Sequence, residues 1–483
     1  LWYLFFSEMW ERFCFYGMRG MLVIFMVNHL SMDEEVANLQ YGATQAWVYA
    51  FTFIGGLFAD KILGLRKSLF WGGILMIIGS VILAVDPKSL FFTGIGFTIV
   101  GTGFFKPNIS SMVGQLYKDN DPRRDAGFSF FYMGVNLGAL IGGYICIAVA
   151  EGSLWQSIVP EHLRWNVGFG FAALVMVISL LTFTQTQKSL ASIGLTPLGH
   201  LEVSRKKLLE NLTYLGSILV IPIVIIMVGN TVYTDYFMYA IGPISILYLF
   251  YEMRNFSLVE NKKLLAALVF ILFSIVFWAF FEQSGGSLSL FAANNLNNTI
   301  GGVTLSPNGV NNSANSLFVI GFAALVGLVW LWMAKRKIEP NTIIKFGLAF
   351  LFLAGGFWIF YYTKFFADDL GRTSLGVFTF GWFIITFGEL CLSPIGMSAM
   401  TKLSPQKTQA VIMGMWFLAS AYGQYFAGIL GANIAKASKN ASNLEKLNTY
   451  ADGYYQLAIY ALIAGIILIA ISPLVKKLMQ DVK

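Results

Sequence analysis

The sequence contains few charged residues, few cysteines and few histidines. Only 12% of its 483 residues are Asp, Glu, Lys or Arg, whereas a soluble globular chain has about 25%. Three cysteines in apolar runs and three histidines at helix ends or in linkers form neither a CxxC motif nor a cluster that predicts a metal site. These shortages exclude an ordinary soluble enzyme, a disulfide scaffold and a disordered chain.

Apolar residues are abundant, at 57% of the chain with a mean hydropathy of +0.68. About 20 apolar residues cross a bilayer as a helix, and the runs here are far longer than the 9–11 residues of a barrel strand. We therefore predict an all-α integral membrane protein that spans the lipid bilayer fourteen times. The predicted spans are 2–29, 40–59, 68–85, 90–116, 126–150, 165–184, 213–229, 237–253, 264–292, 315–334, 341–363, 375–401, 408–435 and 453–475.

The distribution of basic residues gives the orientation. If the N-terminus is cytoplasmic, about two-thirds of the 32 Lys and Arg residues fall in inner segments and about a fifth in outer segments, as the positive-inside rule requires. We expect a multi-pass protein of the cell membrane with both termini in the cytoplasm. The net charge of +7 is spread over these loops, so no nucleic-acid partner is expected. The opening apolar segment carries Glu8, Glu11 and Arg12 and does not resemble a signal peptide. Because the sequence starts at Leu1 rather than at Met, we expect an N-terminal tail to precede it.

The spans divide into six, two and six. Residues 1–184 form a predicted N-terminal six-helix bundle, 185–263 a cytoplasmic linker with an inserted two-helix hairpin, and 264–483 a C-terminal six-helix bundle. Two similar bundles are typical of secondary transporters, which bind substrate between repeats near the midplane. After the second span, residues 56–67 read GLFADKILGLRK, which resembles the loop motif of the major facilitator superfamily. This resemblance implies the fold and says nothing of the substrate.

Apart from Glu252 and Lys345 near the ends of their spans, seven charged residues lie inside predicted spans, where each costs at least about 2.5–3.5 kcal/mol at mid-helix and is a functional hypothesis. They are Glu8, Glu11, Arg12, Arg19, Lys106, Glu282 and Glu389. The four on the first helix share, together with Tyr16, one face about 140° wide at 100° per residue. An ion-pair ladder at i,i+4 spacing, such as Glu8–Arg12, is the alternative interpretation of that face.

The balance and position of these charges predict what they bind. Four carboxylates face three cations, so one proton or one substrate ammonium would neutralise the set. All cations lie in the first bundle, whereas Glu282 and Glu389 lie in the second, which suits a zwitterionic ligand. The spans that carry Lys106 and Glu389 each contain a proline, Pro107 or Pro394, that we expect to interrupt the helix.

Aromatic and amide side chains accompany the charges. Tyr16, Tyr49, Trp278 and Trp416 are candidate pocket residues, and for Trp278 packing and a pocket role remain equally open. Asn136 and Asn315 lie at or near spans, where an amide can also be simple interhelical glue. The asparagines between 294 and 312 are placed in an uncharged outer loop and are assigned no chemistry.

Five stretches in order resemble motifs of the proton-dependent oligopeptide transporters. Residues 8–17 read EMWERFCFYG, similar to that family's E-x-x-E-R-F-x-Y-Y-G signature. The stretches 101–110 (GTGFFKPNIS) and 128–138 (FSFFYMGVNLG) look like its fourth- and fifth-helix motifs. The stretches 277–283 (FWAFFEQ) and 388–396 (GELCLSPIG) look like pocket segments of its seventh and tenth helices.

The resemblance implies a symporter that imports di- and tripeptides with protons by alternating access, driven by the proton gradient without a cofactor. By matching position, Glu8, Glu11, Arg12 and Lys106 would couple protons, and Arg19 would form a gating salt bridge with Glu282. The implied peptide contacts are Glu389 and Asn315 for the amine, Asn136 for the backbone, Arg19 and Lys106 for the carboxylate, and Tyr16, Tyr49, Trp278, Trp416 and Ser393 for side-chain pockets.

Departures and alternatives bound this expectation. Phe15 replaces the first tyrosine of the signature, and Phe281 stands beside Glu282 where some relatives have a second acid, so seventh-helix coupling would depend on Glu282. Relatives that carry nitrate or a glycoside, and a drug exporter on the same fold, are alternatives. An anion carrier would have little need of Glu389.

A membrane enzyme is disfavoured because no nucleophile with a partnered base appears. We expect a monomer.

Overall fold

A computed structural model describes residues 1–117, 123–405, 409–436 and 441–480, without the side chains of 124–126, 393–395, 397–398, 401 and 409–410. Within these residues the chain forms sixteen α-helices and one short β-hairpin. The helices are α1 (Trp2–Asn28), α2 (Glu34–Phe58), α3 (Leu65–Val85), α4 (Phe91–Gln115), α5 (Arg123–Ala150), α6 (Arg164–Thr186), α7 (Val203–Leu219), α8 (Ile221–Gly229), α9 (Thr231–Glu252), α10 (Leu258–Phe281), α11 (Ser287–Asn295), α12 (Pro307–Lys335), α13 (Thr342–Tyr362), α14 (Leu375–Leu403), α15 (Gln409–Ile434) and α16 (Asn443–Met479).

The helices match the fourteen predicted spans, because α7 continues into α8 and α10 is followed closely by α11 within one span each. Ten of the described helical segments are long and apolar enough to cross a membrane. The all-α membrane fold is therefore confirmed. The hairpin joins β1 (Thr299–Ile300) to β2 (Val303–Thr304) through Gly301 and Gly302, both at positive φ, as a tight two-residue turn requires.

Capping side chains explain several helix starts. Ser257 and Glu260 form a reciprocal capping box at α10, and Ser442 and Glu445 form another at α16. Such boxes satisfy backbone N–H groups that have no partner within the helix. Ser306 accepts from the backbone of Gly309 and starts α12, eight residues before the predicted span.

The chain forms two compact units. The first comprises Leu1–Ser31 and Ala43–Thr234, and the second comprises Met32–Gly42 and Asp235–Lys483. In the first unit, α1 packs on α5 and α6, and α3 packs on α4 and α6; in the second, α13 packs on α14 and α16, and α10 packs on α15.

Two elements are shared between the units in a way that the sequence did not indicate. The start of α2, up to Gly42, belongs to the second unit, where Gly42 meets Gly428 of α15 backbone to backbone. Glu34 accepts from Tyr450 of α16 at 2.5 Å and pairs with Lys446 at 2.7 Å. The inserted hairpin is also divided, because α7 and α8 belong to the first unit and α9 belongs to the second from Asp235 onward. The predicted division into two bundles and an insert stays a prediction.

The linker after α6 is attached to the first unit. The Arg66 guanidinium donates to the carbonyls of Ile193 at 2.6 Å and Ala191 at 2.7 Å. The Thr196 hydroxyl donates to the Ile62 carbonyl at 2.9 Å. The basic residues of the loop motif at 56–67 therefore include one that holds the linker.

Helix α7 is joined to α3 by side chains. Lys67 pairs with Glu210 at 2.6 Å, and the Trp71 indole donates to Ser217 at 2.9 Å. The linker and the first inserted helix thus pack as parts of the first unit.

Two expectations about helix interruption were wrong. Helix α4 continues through Pro107 to Gln115, and α14 runs unbroken across position 394 to Leu403. A proline removes one hydrogen bond, but a neighbouring helix can compensate for that loss. The interruption lies instead in the span that carries Glu282, where α10 ends at Phe281 and a 3₁₀ turn follows.

Candidate functional site

The first polar cluster is built on a single helix, α1. Glu8, Glu11 and Arg12 are all buried, with exposures of 3%, 0% and 2%. The Arg12 guanidinium lies 3.1 Å from the Glu8 carboxylate and also pairs with Glu11. The ion-pair ladder weighed from the sequence therefore exists, and it leaves two buried carboxylates sharing one guanidinium.

Glycine allows α5 to approach this cluster closely. A side chain at Gly138 would overlap the Met9 carbonyl and come within 2.9 Å of the Arg12 Cβ. The α5 backbone therefore packs directly against α1 beside the Arg12 Cβ. The cluster is thus fixed by packing as well as by charge.

Lys106 of α4 lies beside aromatic rings near the same cluster. Its ammonium is 4.1 Å from the centroid of the Tyr49 ring and 5.9 Å from that of Phe15. A cation over an aromatic face is stabilised by about 0.5–2 kcal/mol. Arg12 also lies over the Phe15 ring, at 5.3 Å, so the residue that replaces the signature tyrosine contacts both cations.

A glycine contact brings Lys106 and Tyr49 together. A Cβ at Gly55 of α2 would overlap the Gly103 carbonyl of α4, and one at Gly103 would lie 2.6 Å from the Phe51 carbonyl. Close backbone approach between α2 and α4 is therefore a condition of the Lys106–Tyr49 contact.

The remaining predicted residues of the first unit lie further along α1 and on α5. Arg19 is buried and lies over the Tyr16 ring at 5.5 Å. Asn136 is buried and its amide donates to the Tyr132 carbonyl of its own helix at 3.0 Å. Arg19 and Tyr16 are thus brought together.

The second polar cluster lies in the C-terminal unit around Glu389. The Asn315 amide of α12 donates to the Glu389 carboxylate at 2.9 Å and to the Thr386 hydroxyl at 3.2 Å. Glu389 is 9% exposed. The predicted pairing of Glu389 with Asn315 is therefore present as a direct hydrogen bond between α12 and α14.

Glu282 lies where a membrane helix breaks. The residues Glu282–Gly285 form a 3₁₀ turn, and Gly286 separates this turn from α11. Glu282 is 5% exposed. A Cβ at Gly285 would overlap the Tyr41 hydroxyl, which explains why glycine stands at the break. Discontinuous helices of this kind form binding sites in transporters.

The other predicted pocket residues of the second unit are aromatic. Trp278 stacks edge to face on Phe281 at 5.3 Å between ring centroids, and Trp416 is buried against Gly396 of α14. The side chain of Ser393 lies outside the described residues. These contacts are ordinary packing of Trp278 and Trp416 against neighbouring residues. The roles of both tryptophans in a peptide pocket stay predictions.

A buried amide ladder on α12 was missed from the sequence. Asn308 and Asn311, placed in an outer loop, are 0% and 1% exposed inside α12. With Asn312 and Asn315 they recur at i, i+3, i+4 and i+7, the spacing of one helix face. This periodicity could have predicted a helix from the sequence. Because the residues are polar, the stretch was interpreted as a loop instead.

Each unit therefore contains a buried polar cluster on membrane helices, and the second includes a broken helix with an acid at the break. These features define a secondary transporter of the membrane. The sequence profile of the POT family matches residues 66–447, and the chain belongs to that family. The pairing of Arg19 with Glu282 would join residues of different units and stays a prediction.

The relatives of the chain have transporter names, not enzyme names. It is 32% identical to the peptide transporter YePEPT of Yersinia enterocolitica, covering 99% of this chain and 94% of the relative. It is 31% identical to the di-/tripeptide transporter of Lactococcus lactis subsp. cremoris, covering 99% and 96%.

Solved structures show the same fold. A variant of the peptide transporter POT in complex with alafosfalin is 31% identical and superposes with a TM-score of 0.83, covering 99% of this chain and 95% of the other. Tetrameric PepTSo2 is 26% identical with a TM-score of 0.85, covering 99% and 98%. These similarities confirm the predicted major facilitator type of fold.

Proposed function

We propose that this transporter is a proton-coupled symporter that imports di- and tripeptides across the cell membrane, with both chain termini in the cytoplasm. The observation that carries the proposal is the sharing of one buried guanidinium, Arg12, by Glu8 and Glu11. Two buried carboxylates with one such partner favour binding of a proton.

The peptide termini are matched by charges of opposite sign. The first unit offers Arg19 and Lys106 for a carboxylate, and the second offers Glu389, held by Asn315, for an ammonium. Several relatives are named as peptide transporters. Recognition of both termini would leave side chains to apolar pockets, which explains how one site could accept many peptides.

Protonation and peptide binding are linked in this proposal. A proton on Glu8 or Glu11 would weaken the hold of the acids on nearby cations, so that Lys106 could interact with the peptide carboxylate. Glu282 is the second proposed protonation site. The proton gradient drives transport without a cofactor, and the functional unit is a monomer.

Uptake of labelled dialanine into proteoliposomes tests the proposal, with and without an inward proton gradient. We expect gradient-driven accumulation that trialanine competes and free alanine does not. Absence of accumulation by folded wild-type protein, or equal competition by alanine, would overturn the peptide assignment.

Coupling can be separated from binding in the same vesicles. Glu11→Gln should abolish accumulation against a gradient and retain peptide exchange without a gradient, because exchange needs no net proton release. Glu161→Gln, at an exposed position, is the control and should behave as wild type. Full gradient-driven accumulation by both Glu11→Gln and Glu8→Gln would contradict the proton role of this cluster.

A further inference from the structure

The amide ladder of α12 contacts both segments that carry the acids of the second unit. The Asn311 amide donates to the Ser284 carbonyl at 2.7 Å. Ser284 lies two residues after Glu282 in the same 3₁₀ turn. Asn311 therefore holds the backbone of the turn that presents Glu282.

The side-chain oxygen of Asn311 accepts a hydrogen bond from α14. The Trp382 indole N–H donates to the Asn311 Oδ1 at 3.2 Å. Trp382 is 1% exposed and lies about two helical turns before Glu389. A single buried side chain thus bonds to both acid-bearing segments.

A second set of hydrogen bonds lies one turn further along α12 and α14, at Asn315. Asn315 donates to Thr386 and Glu389, and the Thr386 hydroxyl also donates to the Trp382 carbonyl at 2.8 Å. Because Asn311 and Asn315 are one turn apart, as are Trp382 and Thr386, the two sets of hydrogen bonds fix the register of α12 against α14. A change in the hydrogen bonds of Asn311 with Ser284 and Trp382 would therefore also alter the position of Glu389.

Asn308 and Asn312 form the outer part of the ladder, and Asn312 contacts α11. Asn312 donates to the Asn308 Oδ1 at 2.9 Å and to the Ser289 hydroxyl at 3.2 Å. The Ser289 hydroxyl donates to the Ser284 carbonyl at 2.8 Å. Asn312 is thus a matched neighbour of Asn311, whereas the bonds to Trp382 and to the Ser284 carbonyl are made by Asn311.

We propose that Asn311 is a positioning residue for peptide binding, which ties the turn of Glu282 to the helix of Glu389 so that the two acids are held in one fixed arrangement. The proposal rests on the proposed function, since it assigns a role to Asn311 in the binding of the peptide amine. It adds a residue that touches neither substrate nor proton.

The test substitutes Asn311 by Leu, which has a similar size and no hydrogen-bonding group. In gradient-free exchange, Asn311→Leu should raise the half-saturating dialanine concentration about tenfold and change the maximal rate less than twofold, because the binding geometry is altered and the transport steps are not. Asn312→Leu should leave both values unchanged. Equal effects of the two substitutions would overturn the proposal.

A second variant tests the α14 contact alone. Trp382→Phe removes the indole N–H and keeps an aromatic ring in the core. If both residues act through the same bond, the double variant should be no worse than Asn311→Leu alone, since the effects of coupled residues do not add. Simple additivity would contradict the role of this bond.

Hydrogen exchange of the purified protein gives a readout that does not need transport. Asn311→Leu should speed exchange of backbone amides in 282–290 at least fivefold and leave 203–219 unchanged, whereas Asn312→Leu should have a smaller effect on 282–290. Unchanged exchange at 282–290 would overturn the positioning role even if peptide uptake is intact. Failure of the wild type to take up peptide would instead overturn the proposed function.

Discussion

The two units satisfy their buried polar groups in different ways. The first concentrates full charges on α1, where Arg12 pairs with Glu8 and Glu11 within two turns. The second uses neutral amides that connect helices, as Asn315 connects α12 to Glu389 on α14. A buried charge depends on its counter-charge, whereas a ladder of amides spreads the requirement over many weaker bonds.

This difference has consequences for transport. A charged cluster responds strongly to one proton because its net charge changes, and an amide network does not. Under the proposed function, the cluster on α1 would sense protons, and the amide ladder of the second unit would hold a fixed arrangement of groups. The comparison predicts a large response to single substitutions in the first unit and a graded response in the second.

The largest effect is expected for Arg12→Leu. Removal of the guanidinium leaves Glu8 and Glu11 buried without it, and breaking a buried ion pair costs about 3–5 kcal/mol. Equilibrium unfolding in mixed micelles of mild detergent and SDS measures the loss. The control is Arg205→Leu, at an exposed position, which we expect to change the free energy of unfolding by less than about 0.5 kcal/mol. An Arg12→Leu protein as stable as this control would remove the basis of the comparison.

A smaller loss is expected for Gly55→Ala. The new Cβ would overlap the Gly103 carbonyl, and overpacking of a close contact costs about 1–3 kcal/mol. The same measurement of unfolding applies, and dialanine exchange should also weaken because α2 and α4 bring Tyr49 to Lys106.

Gly56→Ala is the matched control for that substitution. Its Cβ would lie 3.7 Å from the nearest atom, in Pro107, which is ordinary contact, so stability should be equal or slightly higher. If Gly55→Ala and Gly56→Ala behave alike, the first unit does not depend on the α2–α4 contact, and its cluster is purely local to α1.

The smallest effect is expected for Asn308→Ala in the second unit. It removes the acceptor of the 2.9 Å bond from Asn312, and one intramolecular hydrogen bond contributes about 1 kcal/mol. Asn298→Ala, at an exposed position, should change nothing measurable in the same unfolding assay. A loss for Asn308→Ala as large as that for Arg12→Leu would show that the amide ladder is as intolerant as the charged cluster.

Much of the fold could be predicted from the sequence because membrane insertion depends on local composition. Apolar runs gave the spans, and the Glu8–Arg12 spacing indicated the ion pair, since both are properties of one helix. The same reasoning placed Asn308 and Asn311 in a loop because they are polar. Inside α12, Asn311 forms hydrogen bonds with groups on other segments of the chain, which local composition does not predict.

Two further features required the structure for a similar reason. At the break after Phe281, the Tyr41 hydroxyl occupies the space where a Cβ of residue 285 would lie, a contact between residues far apart in sequence. The prolines at 107 and 394 indicated breaks that do not occur, because a single proline can be accommodated within a packed helix. Local rules therefore locate helices well and predict poorly which backbone groups their neighbours satisfy.

The attachment of the linker to the first unit changes what the chain between the two units is. If the stretch 185–212 were a flexible tether, its length would set an entropic cost that grows slowly with the number of free residues. Because Arg66 donates to the Ile193 carbonyl and Lys67 pairs with Glu210, this stretch is instead attached to the first unit. After α8 the polypeptide passes from the first unit to the second between Thr234 and Asp235, in the first turn of α9, so residues added at 185–212 would enlarge the first unit without lengthening that crossing.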